Sequence, residues 1–139
     1  MVVGRGAAGR LAQLLGGKRV ARWTTACDAR LGMWHEGTFW FSSSKASRKS
    51  QNLMANPRCV VTTEDAANPV VLEGTAELIT DSRALDKMLA LENAKYSTSY
   101  GIEMLDPQLN SSFRIRPLWA FGIQEDDFTG SPTRWDFEP

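Results

Sequence analysis

Residues 38–53 read TFWFSSSKASRKSQNL and pass from a strand pattern into a helix pattern. The aromatic and β-branched residues of 38–42 suit a pleated strand, and the segment 31–34 pairs with them across a turn that contains Gly37. A helix is predicted over 46–55, because the preceding serines supply N-caps and a proline follows at position 57. The junction between this strand and this helix is the most informative part of the chain.

Hydroxyls and cations collect at that junction. Three serines end the strand and three basic residues follow: Ser42, Ser43, Ser44, Lys45, Arg48 and Lys49. Backbone N–H groups at a helix start, the positive end of its dipole, hydroxyl donors and cations together favour a phosphate or carboxylate ligand. Arginine suits a phosphate because its guanidinium donates two parallel hydrogen bonds. The same residues also fit an exposed, solvated helix face, and this pattern alone leaves both interpretations open.

Further strands are predicted over 19–27, 59–63, 70–78 and 113–123. The residues predicted to share one face of 70–78 are Val70, Leu72, Gly74, Ala76 and Leu78. The residues predicted to share one face of 113–123 are Phe113, Ile115, Trp119, Phe121 and Ile123. Proline cannot donate to a strand ladder, so Pro117 predicts a bulge or a break in the last of these strands.

A second helix is predicted over 82–97, with Asp81 as its N-cap. Its apolar residues at near-helical spacing are predicted to be core: Leu85, Met88, Leu89 and Tyr96. Many short strands with two helical inserts indicate a mainly β protein, a small antiparallel β-barrel.

Charge and length limit the classes of function. The 139 residues suit one domain, and the formal net charge is zero. Residues 1–30 carry a net charge of +5 and the remainder −5. We therefore predict a basic arm or short helix over 1–18 and a single domain over 19–139. A neutral chain does not favour nucleic-acid binding, and no apolar run is long enough to span a membrane.

Several kinds of chemistry are not expected from this composition. The two cysteines, Cys27 and Cys59, are interpreted as reduced thiols, which predicts a cytoplasmic location. One histidine and no Cys-x-x-Cys motif argue against a zinc site. That histidine, His35, falls in the predicted turn and has no local partners for a nucleophilic triad, so no catalytic residue is identified.

The order of these motifs resembles the pyridoxamine 5′-phosphate oxidase-like split β-barrel family. The resemblance is carried by the Phe-Ser-Ser-Ser strand end, the pair Arg48-Lys49, the Asn56-Pro57-Arg58 segment and the later run 71–77, Val-Leu-Glu-Gly-Thr-Ala-Glu. It covers residues 33–123. This superfamily also contains oxidoreductases that use the deazaflavin coenzyme F-420.

The resemblance implies an antiparallel, FMN-binding-like split β-barrel with FMN or F-420 as cofactor. It assigns the cofactor phosphate to Arg48 and Lys49, and further cofactor contacts to Ser42 and Ser43. Ser44 and Lys45 are close enough in sequence to assist, and Asn68 lies where some members have a polar contact to the ring. It also implies a homodimer with the cofactor at the interface, and a small, conjugated substrate that exchanges hydride with the cofactor.

Three functions follow from this interpretation. The first is an FMN- or F-420-dependent oxidoreductase; the short chain and the lack of an aromatic-rich C-terminal segment favour F-420. The second is a non-enzymatic carrier or storage module for the same cofactors, because residues 19–33 match the family only loosely and part of an expected hairpin is missing. The third is a structural barrel without a ligand.

Overall fold

The structure, a computed structural model, describes residues 32–63 and 65–138 in full, and only the backbone of two further short strands. The strands in this part of the chain are β1 (Val2–Val3), β2 (Val20–Trp23), β3 (Gly32–His35), β4 (Thr38–Ser44), β5 (Arg58–Thr63), β6 (Val70–Leu78), β7 (Asn110–Gly122) and β8 (Thr133–Asp136). The helices are α1 (Arg48–Ala55) and α2 (Ser82–Tyr96), with short 3₁₀ helices at Ile102–Leu105 and Glu125–Asp127. Apart from β1, the predicted arm over 1–18 lies outside the described residues, as does Cys27.

The sheet divides along its longest strand, β7. One edge of β7 pairs with β6 over residues 113–122. The opposite edge pairs first with β4, over 110–115, and then with β8, over 119–122. Since β3 pairs only with β4, and β5 and β2 follow β6, the described strands form one mainly antiparallel sheet that splits at the middle of β7. This confirms the predicted split-barrel fold, although the described sheet does not close.

The predicted β3–β4 hairpin is confirmed, and its turn is the two-residue segment 36–37 rather than 35–37. Glu36 has φ 47° and Gly37 has φ 75°, so both central residues have left-handed backbone conformations. This is the arrangement of a type I′ turn, whose twist matches that of the flanking strands. His35 is the last residue of β3 rather than part of the turn, and it pairs with Thr38.

The two faces of β4 pack into different apolar clusters. Phe39 and Phe41 face the interior of the barrel, while Trp40 points to the outer face. The interior cluster consists of Phe39, Phe41, Leu53, Cys59, Val61, Val70, Leu72, Ala76, Phe113, Ile115, Ala120 and Trp135. The outer cluster consists of Met33, Trp40, Ile79, Leu85, Met88 and Leu105. Helix α2 therefore covers part of the outer face, whereas Leu53 of α1 packs into the interior.

The single apolar face predicted for 113–123 is wrong, because the expected bulge reverses the alternation. Gly74 pairs with Pro117 and Glu73 with Trp119, so Leu118 is the extra residue. A one-residue insertion moves every later side chain to the other face. The buried residues are consequently Phe113 and Ile115 before the bulge, and Ala120 and Gly122 after it. Trp119, Phe121 and Ile123 are half-buried instead.

The alternation predicted for 70–78 is confirmed for its first four inward residues, but Leu78 is exposed where the strand ends. Helix α2 begins as predicted: the Asp81 carboxylate accepts a hydrogen bond from the Ala84 N–H at 2.9 Å. Leu85 and Met88 are buried, and Leu89 and Tyr96 pack against the same cluster. Neither α1 nor α2, the two α-helices among the described residues, is long and apolar enough to cross a bilayer.

Candidate functional site

The turn from β4 into α1 is compact and bonded to itself. We call the segment Ser42–Lys49 the β4–α1 corner. The Ser47 N–H donates to the carbonyl oxygen of Ser44 at 3.0 Å, which turns the chain into the helix. The Ser47 hydroxyl then accepts from the Ser50 N–H at 3.2 Å and acts as the N-cap. The predicted helix start at residue 46 is therefore two residues early, and the cap is the last serine before the Arg-Lys pair.

The corner hydroxyls are linked to each other and to β7. The Ser43 and Ser47 hydroxyl oxygens lie 2.9 Å apart. The Ser112 hydroxyl donates to the Ser42 hydroxyl at 3.1 Å, and the Ser42 hydroxyl donates to the Ser111 carbonyl oxygen at 3.4 Å. Ser44 continues this connection to β7, since it pairs with Asn110 in the β4–β7 ladder. Lys45 follows directly after Ser44. The strand end is thus held on two sides before the helix begins.

The three cations of the corner have different environments. Lys45 and Arg48 are exposed. Lys49 is only 4% exposed, and its Nζ lies 5.2 Å from the centroid of the buried Phe41 ring. The Lys45 backbone N–H donates to the Leu109 carbonyl oxygen at 2.9 Å, which fixes the corner to the loop before β7. Arg48 therefore presents its guanidinium to solvent, whereas Lys49 packs along an aromatic ring.

Within one chain the structure does not bring Asn68 to the corner. Asn68 lies in the loop between β5 and β6, where its backbone and side-chain N–H groups donate to the Asp65 carboxylate at 3.0 and 3.3 Å. That loop is bonded to the C-terminal end of β7, through the Ile123 N–H and the Pro69 carbonyl oxygen. The corner lies at the opposite end of the same strand, since Ser42 pairs with Ser112.

The corner has the donor set that a phosphate monoester needs. The Ser47 side chain and carbonyl satisfy the N–H groups of Ser50 and Gln51, and the first N–H groups of α1 have no acceptor within the helix. Serine hydroxyls and the exposed Arg48 guanidinium adjoin this helix start. The phosphate end of a flavin-type cofactor therefore fits the residues present here.

A second charged cluster lies on the outer face and was not predicted from the sequence. Arg114 and Arg116 of β7 both donate to the Glu77 carboxylate of β6, at 3.0 and 3.3 Å. The hydrogen bond from Arg114 holds the pKa of Glu77 below its usual value, and the charges of both arginines act in the same direction. The sequence signal that could have predicted this cluster is the Arg-x-Arg pattern of 114–116. Both arginines share one face of their strand and lie beside the exposed residues of the antiparallel strand β6.

Three other residues, one thiol and two tryptophans, belong to the packing of the barrel. Cys59 is a buried thiol whose pKa is raised to about 12 by burial, so it is not a nucleophile at neutral pH. Trp135 is buried in the interior cluster. Trp40 is 5% exposed and packs against α2, while its Nε1 donates to the Thr38 hydroxyl.

Comparison with known families identifies the class of protein. A family model described as pyridoxamine 5′-phosphate oxidase matches residues 16–123. The chain belongs to this family. The match begins upstream of residue 33, and so it includes the segment that resembles the family only loosely by inspection. No curated protein matches the chain at a significant level.

Solved structures support the same fold at low sequence identity. A conserved hypothetical protein from Mycobacterium tuberculosis is 17% identical, with a TM-score of 0.70 over 90% of this chain and 87% of that one. A putative pyridoxamine 5′-phosphate oxidase from Listeria innocua is 16% identical, with a TM-score of 0.62 over 81% and 94%. A heme binding protein from Mycobacterium smegmatis is 17% identical, with a TM-score of 0.65 over 97% and 60%. At these identities the likeness establishes the fold and not the ligand.

Proposed function

We propose that this protein binds FMN or coenzyme F-420 at the β4–α1 corner and transfers hydride between that cofactor and a small conjugated molecule. The observation that carries the proposal is the corner itself: hydroxyls, the start of α1 and the exposed Arg48 adjoin one another in a member of this family. A bound flavin or deazaflavin would supply the hydride chemistry. We further propose a cytoplasmic location, which the free thiol of Cys59 supports.

The roles of the corner residues follow from their exposure. Arg48 is suited to a bidentate contact with the phosphate, because its guanidinium is exposed and charge-assisted pairs of this kind are strong. Lys49 contributes positive charge from a position on the Phe41 ring. Ser42, Ser43 and Ser44 would position the cofactor from the strand end, with Lys45 at its rim.

Titration of the purified protein with FMN and with F-420, followed by fluorescence, tests this proposal. The Arg48→Ala, Lys49→Ala double variant is expected to weaken binding of the preferred cofactor by about 2–4 kcal/mol, because it removes charge-assisted hydrogen bonds. Arg58→Gln is the control, since Arg58 already pairs with Glu73 at 3.2 Å beyond the end of α1. No binding of either cofactor, or an unchanged dissociation constant in the double variant, would contradict the proposed site.

The two cations can be separated with single variants. Arg48→Gln is expected to raise the dissociation constant roughly 10- to 150-fold without changing the free energy of unfolding, because Arg48 is exposed. Lys49→Met keeps the buried aliphatic chain and removes only the charge, so unfolding by urea must be measured beside binding. A loss of cofactor binding at unchanged stability supports the phosphate role of Lys49; unchanged binding contradicts it.

We also propose a homodimer in which Asn68 of the partner subunit completes the site. The support is geometric: within one chain, Asn68 and the corner occupy opposite ends of β7, so only a second copy brings them together. A two-fold arrangement would then build two equal, shared sites.

Mixing two defective variants tests this shared site. Arg48→Ala and Asn68→Ala are each expected to bind the cofactor weakly. After subunit exchange at equal concentrations, about a quarter of the sites should regain wild-type affinity, because half of the dimers are mixed and each holds one intact site. A monomer in solution, or no recovery on mixing, would overturn the shared site while leaving the corner itself untouched.

Turnover distinguishes the oxidoreductase from the carrier. The protein loaded with reduced cofactor is expected to transfer hydride to an artificial conjugated acceptor faster than the free reduced cofactor does. Tight binding without such acceleration would favour the carrier function, and the absence of binding would favour a barrel without a ligand.

A further inference from the structure

A cavity opens where the sheet splits. β7 leaves β4 after Ile115 and takes up β8 at Trp119. A cavity of about 580 Å³ lies at this gap. We call it the split cavity; the lining residues used below are Thr38, Trp40, Arg114, Arg116, Leu118 and Phe137. Its volume lies within the range of small-molecule sites in proteins.

The bulge in β7 builds the apolar wall of this cavity. Leu118 is the extra residue, with no partner in β6, and its side chain is 41% exposed. Its carbonyl oxygen accepts a hydrogen bond from the Phe137 N–H at 3.1 Å, which fixes the chain after β8 against the bulge. Leu118, Pro117 and Phe137 supply the apolar part of the lining. The Phe137 ring also packs against the interior cluster and lies 6.2 Å from the Trp34 ring, centroid to centroid.

Another part of the lining is cationic. The Arg114 guanidinium lies over the Trp40 ring, 5.8 Å from its centroid, and donates to Glu77. Arg116 donates to the same oxygen of Glu77, and its side chain is 68% exposed. Two guanidinium groups thus share one carboxylate, which leaves one net positive charge and further N–H donors on the more exposed Arg116.

The remaining charges at the cavity limit what it can hold. Glu36 and Glu138 also line it, and Lys87 lies 3.7 Å from the Glu36 carboxylate. Glu138 is exposed and carries a negative charge at the rim. The three cations and three carboxylates named here sum to a net charge of zero, which disfavours a polyanion. A single carboxylate is favoured where it meets the exposed guanidinium of Arg116.

We propose that the split cavity binds a small, flat aromatic carboxylate, with its carboxylate on Arg116 and its ring against Leu118 and Phe137. This site is separate from the cofactor phosphate site and does not rest on the proposed function. Trp40 precedes Ser42 by two residues, which is about 7 Å along a strand, so a ligand here would lie near the corner without occupying it.

Calorimetric titration with trans-cinnamate and with trans-cinnamamide tests the proposal, because the two probes share a shape and differ in charge. The carboxylate is expected to bind at least about tenfold more tightly than the amide, the usual worth of a charge-assisted pair. No binding of cinnamate, or equal binding of the two probes, would overturn the proposal.

Three variants locate the bound probe. Arg116→Gln should reduce cinnamate binding to the level of the amide, since Arg116 is exposed and the Arg114–Glu77 pair remains to hold the fold. Arg58→Gln, which removes an ion-paired arginine of β5, should leave binding unchanged. Arg48→Gln should also leave it unchanged; if it abolishes cinnamate binding, the probe sits at the corner and the split cavity is not its site.

The same titrations keep the two proposals apart. Failure of FMN and F-420 to bind, with cinnamate still bound in an Arg116-dependent way, would refute the cofactor function and retain the split cavity. Cofactor binding that depends on Arg48, with no cinnamate bound, would retain the cofactor function and refute the split cavity as a binding site.

Discussion

The β4–α1 corner and the split cavity both offer arginine to a ligand, but they are built over very different sequence distances. The corner takes its hydroxyls and cations from the eight consecutive residues 42–49. The cavity takes its walls from β4, β7 and the chain after β8, which are brought together by strand pairing and one bulge. A local site depends on capping and turn geometry, whereas a long-range site depends on register.

The two sites also differ in how their cations are held. In the corner, Lys49 is buried along the Phe41 ring and Arg48 remains exposed. In the cavity, both arginines are anchored by Glu77 and one of them stacks on Trp40. The corner therefore depends on the interior cluster beneath it, while the cavity depends on the β6–β7 ladder.

Phe41→Ala is the substitution expected to have the largest effect, and it affects the corner. Phe41 is buried, stacks on Phe113 with a centroid distance of 5.4 Å, and lies beneath Lys49. The free energy of unfolding in urea should fall by about 3–5 kcal/mol because a large interior volume is lost. Met54→Ala on the exposed side of α1 is the control and should change it by under about 0.5 kcal/mol. A similar small loss for Phe41→Ala would show that the corner is not supported by the interior.

Gly74→Ala is expected to have the second-largest effect, and it affects the split cavity. A Cβ at Gly74 would press on the Arg116 carbonyl oxygen and lie 2.7 Å from Ile115 Cγ2, so β6 and β7 would separate at the bulge. Overpacking of this kind costs about 1–3 kcal/mol, and cinnamate binding should be lost with it.

Gly37→Asn is the matched control for that variant. Nothing lies within 4 Å of a Cβ there, and asparagine adopts the left-handed conformation that its φ of 75° requires. We expect under about 1 kcal/mol of destabilisation. Because Gly37 itself lines the split cavity, the two variants are compared by the free energy of unfolding alone. Equal losses of unfolding free energy at the two glycines would show that the close approach of β6 and β7 at Gly74 is not what makes a Cβ costly there.

Ser47→Ala has a smaller expected effect and returns to the corner. It removes the N-cap of α1, which costs about 1 kcal/mol of unfolding free energy, and it should weaken cofactor binding by loosening the helix start. Ser82→Ala at the exposed first residue of α2, where Asp81 is the cap, should change neither quantity measurably. Destabilisation without any loss of cofactor affinity would indicate that the helix start does not contact the cofactor.

Glu77→Gln should have the smallest effect, and it depends on pH. Arg114 and Arg116 lower the pKa of Glu77, so the stabilisation from its charge is present above the usual carboxyl range and is lost as pH falls through the lowered value. Because the side chain is 47% exposed, we expect roughly 0.2–1 kcal/mol between wild type and variant at neutral pH. The difference should shrink in acid and in high salt. A difference that grows as pH falls would contradict this sign.

Local patterns were sufficient for much of the fold. The hairpin with Gly37 in its turn and the Asp81 cap depend on the conformational preferences and side-chain hydrogen bonds of neighbouring residues, and both are confirmed. The inward face of 70–76 follows from simple alternation and is also confirmed. The corner residues were likewise selected from contiguous sequence, and their role in binding stays a prediction.

The bulge shows where local reasoning ends. Pro117 predicts an irregularity, yet nothing local says that Leu118 is the extra residue, and so Trp119 and Phe121 were assigned to the wrong face. The burial of Lys49 could not be predicted from local sequence either, because its position on the Phe41 ring depends on how α1 packs against the barrel interior.

By itself, the sequence determined the family, the order of the strands and α-helices from β2 to β7 and the chemical character of the β4–α1 corner, because each depends on residues close together in the chain. It did not predict β8. Tertiary structure alone decided which cation of the corner faces solvent, where the sheet splits, and that Arg114, Arg116 and Leu118 meet Phe137 around one cavity. The physical reason is register: one extra residue in β7 reverses the faces of everything after it, and only the paired strands reveal its position.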